Sequence, residues 1–302
     1  PVHSAKLTAA RVYNLGMTGY DPLNERVSLE LHAPRLKPAA VIMMLYEGND
    51  FEVKRKEAAV EGIPFRERFK NYFKQSPLSL GYERLIVGTF NTGAGSPDPR
   101  LVDAVSWLPV RIPDDDTGHL YAFGPKALLE ATHNAKAFAK SRRWQRTAEQ
   151  LRRINAYCTE RDIRFMLAFA PTKAHVVIPM LGDRLPVDKV HAFAEIFLPL
   201  IPKPEEFGRR LLENLDARAR VVADWCHENE VEFFDLTPFL REQTAAGEFV
   251  YFTYDHHWTP RGNALVAGAV AERYREWINP PGDVVDVDSN GPPPSTGNAE
   301  TP

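Results

Sequence analysis

The chain has 302 residues, 44% of them hydrophobic, enough to bury a sizeable core as one main domain carrying an insertion. Its formal charge of -3 arises from 37 basic and 40 acidic side chains, with the basic ones scattered, so no basic field exists to attract nucleic acid. No apolar run approaches the ~20 residues that span a bilayer, and Cys158 and Cys226 fall on separate amphipathic stretches without disulfide or metal-knuckle spacing, which reads as two buried free thiols.

In chain order, Arg11 to Met17 (RVYNLGM) alternates and predicts a short buried strand with Gly16 near its end. A turn follows, and Asp21 before Pro22 marks a helix start. Leu23 to Leu36 carries apolar residues at helical spacing, with a break expected near Pro34 and a stop at Pro38. Ala39 to Tyr46 (AAVIMMLY) then reads as a fully buried strand of the parallel-sheet kind. Strand, helix and strand within some forty residues make a βαβ unit.

A second set begins at Trp144, where Leu151, Ile154 and Cys158 predict a helix to about Arg161. Ile163 to Ala170 (IRFMLAFA) is another apolar strand, Glu205 to Glu230 a long charged helix, and Val231 to Leu236 a third β-rich run. Arg261 to Trp277 closes the pattern as a helix with Leu265, Val266, Ala269, Val270 and Tyr274 on one stripe. Alternation of this kind predicts a three-layer α/β/α fold around a parallel central sheet. The expected division is 1–50 and 142–279 for the two parts of that domain, 51–141 for an inserted small β-containing lobe, and 280–302 for a disordered tail. Within the lobe, Trp107 to Ile112 and His119 to Phe123 are placed to pair as a hairpin across the acidic turn Asp114-Asp115-Asp116, which reads as solvated rather than as a cation site. The tail is too rich in proline, glycine and acid to build a core.

Three stretches place polar groups directly after an apolar strand, where open α/β sheets put their ligands: Tyr13-Asn14-Leu15-Gly16, Glu47-Gly48-Asn49-Asp50 and Asp255-His256-His257-Trp258. A glycine N–H at Gly16 and the Asn49 side-chain amide are candidate donors to an oxyanion, each such donor being worth roughly 3 kcal/mol in acyl transfer. His257 is a candidate base, with Asp255 two residues earlier to hold its tautomer. His256, Trp258 and Asp50 are candidate lining residues. The aromatic run Phe249, Tyr251, Phe252 and Tyr254 either walls a sugar site beside Trp258 or buries alternate members, and the large area of such rings favours burial.

In that order the stretches resemble the SGNH (GDSL-type) hydrolase superfamily. RVYNLGMTGYDPLNE followed by AAVIMMLYEGND is similar to its second and third sequence blocks, and YFTYDHHWTPRGNALVAGAV to its fifth. The resemblance implies a flavodoxin-like SGNH fold, Gly16 and Asn49 as oxyanion-hole residues, and Asp255 and His257 as two members of a triad. One residue rather than two separates the aspartate from the histidine, the Asp-x-His-Trp form of alginate O-acetyltransferase-like relatives, which turns the expected substrate toward acetylated carbohydrate. Phe169 to Ala174 (FAPTKA) is similar to those relatives as well.

The first block, Gly-Asp-Ser, has no counterpart here, and Ser4 lacks its context, so the nucleophilic serine is expected upstream of Pro1 in a chain that was processed or trimmed. Three readings follow: an acyl-ester hydrolase, a polysaccharide O-acetyltransferase, and a carbohydrate-binding or scaffold protein that keeps the fold without turnover. The first two need no cofactor, and the expected partner is a small-molecule or carbohydrate ester. A metal-dependent hydrolase built on Asp255, His256 and His257 stands behind these, since no second cluster has ligand spacing. The resemblance further implies an extracytoplasmic setting, with any membrane association made through an N-terminal segment.

Overall fold

The computed structural model describes residues 11–17, 19–51, 107–112, 118–182, 185–197 and 201–275. The acidic turn at Asp114–Asp116, Ser4, most of the inserted stretch and the 280–302 tail lie outside them. The chain divides into two units, Asn14–Val266 and a smaller one made of Pro1–Tyr13 and Ala267–Pro302. Of the smaller unit, Arg11–Tyr13 are irregular and exposed, and Ala267 onward continues a helix.

The larger unit begins with local rules obeyed. Asp21 caps helix α1 (Pro22–Leu36) by accepting from the Asn24 N–H at 3.1 Å, with Pro22 in the first turn where no amide hydrogen is needed. The helix runs unbroken through Pro34 and ends at Lys37, whose left-handed backbone (φ 46°) lets its N–H reach the Ala33 carbonyl at 2.8 Å.

Strand β1 (Ala40–Tyr46) pairs in parallel with β4 (Arg164–Ala170), Ala40 opposite Arg164 and Tyr46 opposite Ala170. On its other side β4 pairs in parallel with β5 (Glu232–Asp235), so the order is β1-β4-β5. Every residue of β4 from Phe165 to Ala170 is buried, as its uninterrupted apolar run requires of a central strand covered on both faces. Phe165, Leu167 and Phe169 share one core with Leu29 and Ala33 of α1, Leu151 and Cys158 of α4 (Arg142–Thr159), and Val222 and Cys226 of α8 (Ala217–Glu228). Met166, Ala168 and Ala170, equally buried, alternate onto the opposite face. The result is a parallel sheet flanked by helices, the expected three-layer pattern. Both cysteines are free and buried.

The expected hairpin forms: β2 (Leu108–Ile112) pairs antiparallel with β3 (His119–Phe123). Short helices α2 (Pro125–Glu130) and α3 (Ala135–Ala139) lead into α4. After β4 come α5 (Lys173–Leu181), α6 (Val187–Phe197) and α7 (Pro204–Asn214), then α8; α9 (Thr237–Ala245) follows β5, and α10 (Pro260–Arg273) crosses into the smaller unit.

Besides the helix break expected near Pro34, which is absent, and β1, which buries only Met43 and Leu45 and exposes Ile42 where full burial was expected, two further expectations are corrected. Arg11 to Met17 is no strand: it joins no ladder among the described residues and exposes Val12, Tyr13 and Met17. Its Gly16 N–H is taken by the Asn14 side chain at 3.0 Å, a local bond that competes with sheet pairing. The long helix from Glu205 to Glu230 is two helices, interrupted at Leu215–Asp216. There the Asp216 carboxylate accepts from His175 Nε2 at 2.8 Å and Arg241 at 2.9 Å, so a tertiary ion cluster overrides local periodicity.

Candidate active site

The residues from Val250 to Thr259 fold back on themselves as a tight loop. Tyr251 bridges Trp258 antiparallel, the Phe252 N–H donates to the His257 carbonyl at 3.2 Å, and the Thr259 N–H donates to the Val250 carbonyl at 2.8 Å. Thr259 accepts from the Gly262 N–H at 3.0 Å, which caps the following helix, and donates to the Phe249 carbonyl at 2.5 Å. Gly262 is required by close approach: a Cβ there would lie 2.3 Å from the Val250 oxygen.

At the tip, Asp255 Oδ1 accepts from the His257 backbone N–H at 2.8 Å and makes a short contact to His257 Nδ1. The backbone bond comes first among the causes that hold the Asp255 carboxyl below its ordinary range, with the His257 ring adding to it. The pair faces solvent, the two side chains being 82% and 52% exposed for His257 and Asp255. His257 Nε2 has no partner among the described residues. A histidine with Nδ1 tied to a carboxylate and Nε2 open is the arrangement of a general base held in one tautomer.

The neighbouring histidine does something else. His256 sets its ring at a tilt against Trp107, 4.8 Å between centroids, and close to Gly124, so it leans on these neighbours while staying exposed. Tyr251 is buried and donates to the Pro171 carbonyl at 2.9 Å, whereas Phe252 and Tyr254 are exposed, so the aromatic run does split between core and surface. Trp258 is half-buried at the base of the loop. The β3 edge braces the other side: Ala122 N–H donates to the Thr253 carbonyl at 3.2 Å, and the Thr253 hydroxyl donates to the Leu120 carbonyl at 2.8 Å.

The turn after β1 is the second part of the site. Glu47 N–H donates to the Ala170 carbonyl at 2.9 Å, extending the β1–β4 pairing, and the Tyr46 N–H donates to Asp50 Oδ2 at 2.7 Å. Asp50 is buried and closes the turn; its carbonyl also accepts from the Thr147 hydroxyl. Asn49 is half-buried, and its amide makes no hydrogen bond among the described residues. Gly16 lies on the exposed segment described above, with its N–H engaged by Asn14. No hydrogen bond joins Gly16 or Asn49 to the Asp255–His257 pair.

Beneath both parts runs a buried charged network that sequence reasoning missed. Glu47 Oε2 accepts from the Thr172 N–H at 2.8 Å, the Thr172 hydroxyl at 3.0 Å and His175 Nδ1 at 3.0 Å. Arg218 donates to the Glu47 carbonyl at 3.0 Å and to Glu130 at 3.2 Å. Burial opposes ionisation of both Glu47 and His175. Their mutual attraction wins: the Glu47 carboxyl falls below its usual range, and the His175 imidazole is carried up to about 9 by Glu47 and Asp216. Lys173 is buried beside them, and burial draws its amine down to about 7 against the pull of Asp255. The available signal was positional: Thr172, Lys173 and His175 follow the carboxyl end of the central strand, the ligand side of such sheets. Among the described residues no group of three or more His, Cys, Asp and Glu is arranged to hold a metal ion, and no helix is long and apolar enough to cross a membrane.

These features define an α/β protein with a parallel sheet and a solvent-facing Asp–His pair on the loop that enters helix α10. Residues 203–284 match the family model of the SGNH hydrolase-like domain of acetyltransferase AlgX, a stretch that contains the whole Asp255–Trp258 segment. Over that stretch the chain is similar to the SGNH hydrolase-like domain of that acetyltransferase family, and at the level of the family the similarity supports acyl-transfer or esterase-type chemistry. No curated protein and no solved structure matches.

Proposed function

We propose that this chain processes acyl esters, with His257 as the general base, Asp255 as its orienting carboxylate, and Gly16 and Asn49 as donors to the oxyanion. The observation that carries the reading is the Asp255–His257 hydrogen bond at a solvent-open tip, with Nε2 left unengaged. In the reaction, Nε2 takes the proton of a serine hydroxyl as its oxygen attacks the ester carbonyl. The alcohol then leaves with that proton, and water attacks the acyl-serine in a second, equivalent step. The serine is to be sought upstream of Pro1 in the gene. The substrate class is O-acetylated carbohydrate, and the setting extracytoplasmic. Asn49 offers to this chemistry an amide without a hydrogen bond among the described residues; Gly16 must first release Asn14.

The description of the matched family as an acetyltransferase favours a second reading, in which a sugar hydroxyl replaces water as acceptor. The test is hydrolysis of a chromogenic acetyl ester by this chain and by a version extended upstream in its gene. Turnover confined to the extended form supports the serine mechanism. Turnover by neither form, with acetylated polysaccharide bound but not consumed, supports a binding protein instead.

A further inference from the structure

Lys173 sits at the first position of α5 and is 1% exposed. A cation there gains nothing from the helix, whose N-terminus is the positive end of its dipole, and burying an ammonium costs several kcal/mol unless its hydrogens are satisfied. They are. Nζ donates to the carbonyls of Phe252 at 2.9 Å, Thr253 at 2.6 Å and Asp255 at 3.0 Å, one acceptor for each hydrogen, and the Trp107 ring lies 5.0 Å away. All three acceptors belong to the loop that carries the Asp255–His257 pair, and one is the backbone of Asp255 itself. Three carbonyls converging on one point would repel one another without the cation between them.

The same turn of helix holds the other half of the site. Thr172 and His175, on either side of Lys173, make the three hydrogen bonds that the carboxylate of Glu47, the residue that opens the Asn49 turn, accepts among the described residues.

Resting on the acyl-transfer reading above, we infer that Lys173 is a positioning residue: its ammonium fixes the Asp255–His257 loop to the first turn of α5 and thereby sets that loop's place relative to the Asn49 turn. It acts through backbone carbonyls of the loop rather than by proton transfer.

The test compares Lys173→Met, which keeps the stem and removes the ammonium, with Lys173→Arg and His257→Ala, in the chain extended upstream in its gene. Three readouts are taken: amide exchange, the ring nitrogen signals of His257, and steady-state ester turnover. In Lys173→Met the Phe252 and His257 amides should exchange at least about tenfold faster while β4 amides keep their rates. The His257 ring should shift from a single Nδ1–H tautomer to a mixture, and kcat should fall about 100-fold with KM within about twofold, the loss expected of a misplaced catalytic group. Lys173→Arg should restore part of each. Unchanged loop exchange and tautomer in Lys173→Met overturn the inference, as does faster exchange throughout β4, which marks a general structural role. Wild-type turnover in His257→Ala, or turnover in no form, defeats the acyl-transfer reading while the exchange and tautomer data still decide whether Lys173 sets the loop.

Discussion

The Asp255 carboxylate takes both the backbone N–H and the ring Nδ1 of His257, so one side chain shapes the loop and orients the ring. On the proposed acyl-transfer reading, and in the chain extended upstream, Asp255→Asn keeps an oxygen for the backbone bond but loses the charge that would favour the Nδ1–H tautomer and an imidazolium in the transition state. It should cut turnover by about 10^3-fold or more, while Tm, checked by circular dichroism, barely moves because the pair is exposed. Glu25 is the opposite kind of residue. Burial first, then the charges of Asp50 and Asp21, push its carboxyl up to about 8, and its Oε2 has no hydrogen-bond partner among the described residues. Its folded pKa exceeds the unfolded value of 4.5, so its contribution is complete at low pH and is lost as pH rises through about 8. Glu25→Gln should therefore stabilise the protein above pH 8 by on the order of 2 kcal/mol, discounted for partial exposure, and leave stability at pH 4 unchanged, as urea unfolding at both pH values will show.

At the scale of elements, the first turn of α5 and the Leu215–Asp216 break are one construction, because His175 reaches Glu47 with one ring nitrogen and Asp216 with the other. Both bonds want an N–H, which fits an imidazolium. Raised from 6.5 to about 9, the ring stabilises the fold fully below pH 6.5, and that stabilisation drains away as pH climbs through about 9. His175→Ala should abolish this slope and cost about 3 kcal/mol at pH 6, since Glu47 is left buried without its main counter-charge. Measuring both chains in a Glu25→Gln background separates the His175 slope from the overlapping one at Glu25. Sequence periodicity had no access to this cluster. It assembles from Glu47, His175, Asp216, Arg218 and Arg241, which are far apart in the chain and individually ordinary. The same blindness merged α7 and α8. Tyr251, by contrast, was legible in its alternation with Phe252, and the β2–β3 hairpin in its two β-rich runs around an acidic turn.

For the whole molecule, β4 was legible because a parallel strand buried on both faces reads as a plain apolar run, whereas β1, expected to be fully buried, buries only Met43 and Leu45 and exposes Ile42, and β5 is half-buried along its length. Arg11 to Met17 shows the limit of that rule: alternation without a partner strand, and with Asn14 free to bond Gly16, leaves an exposed segment. The candidate site draws on the carboxyl ends of β1 and β4, through the Asn49 turn and the Lys173 bracket, whereas the core lies along their middles. Stability and chemistry should thus separate. Leu167, fully buried at the centre of β4, leaves a cavity when shortened, so Leu167→Ala should cost about 3–4 kcal/mol in urea unfolding with little change in m. The exposed Leu212 of α7 should cost under about 0.5 kcal/mol on the same change. In the chain extended upstream, both variants, assayed at least about 15 °C below their own Tm, should keep ester turnover within about twofold of the parent, because Leu167 lies in the core cluster of the sheet and Leu212 on the exposed surface of α7. A large fall in kcat for folded Leu167→Ala would mean that the middle of the sheet sets the geometry at its edge.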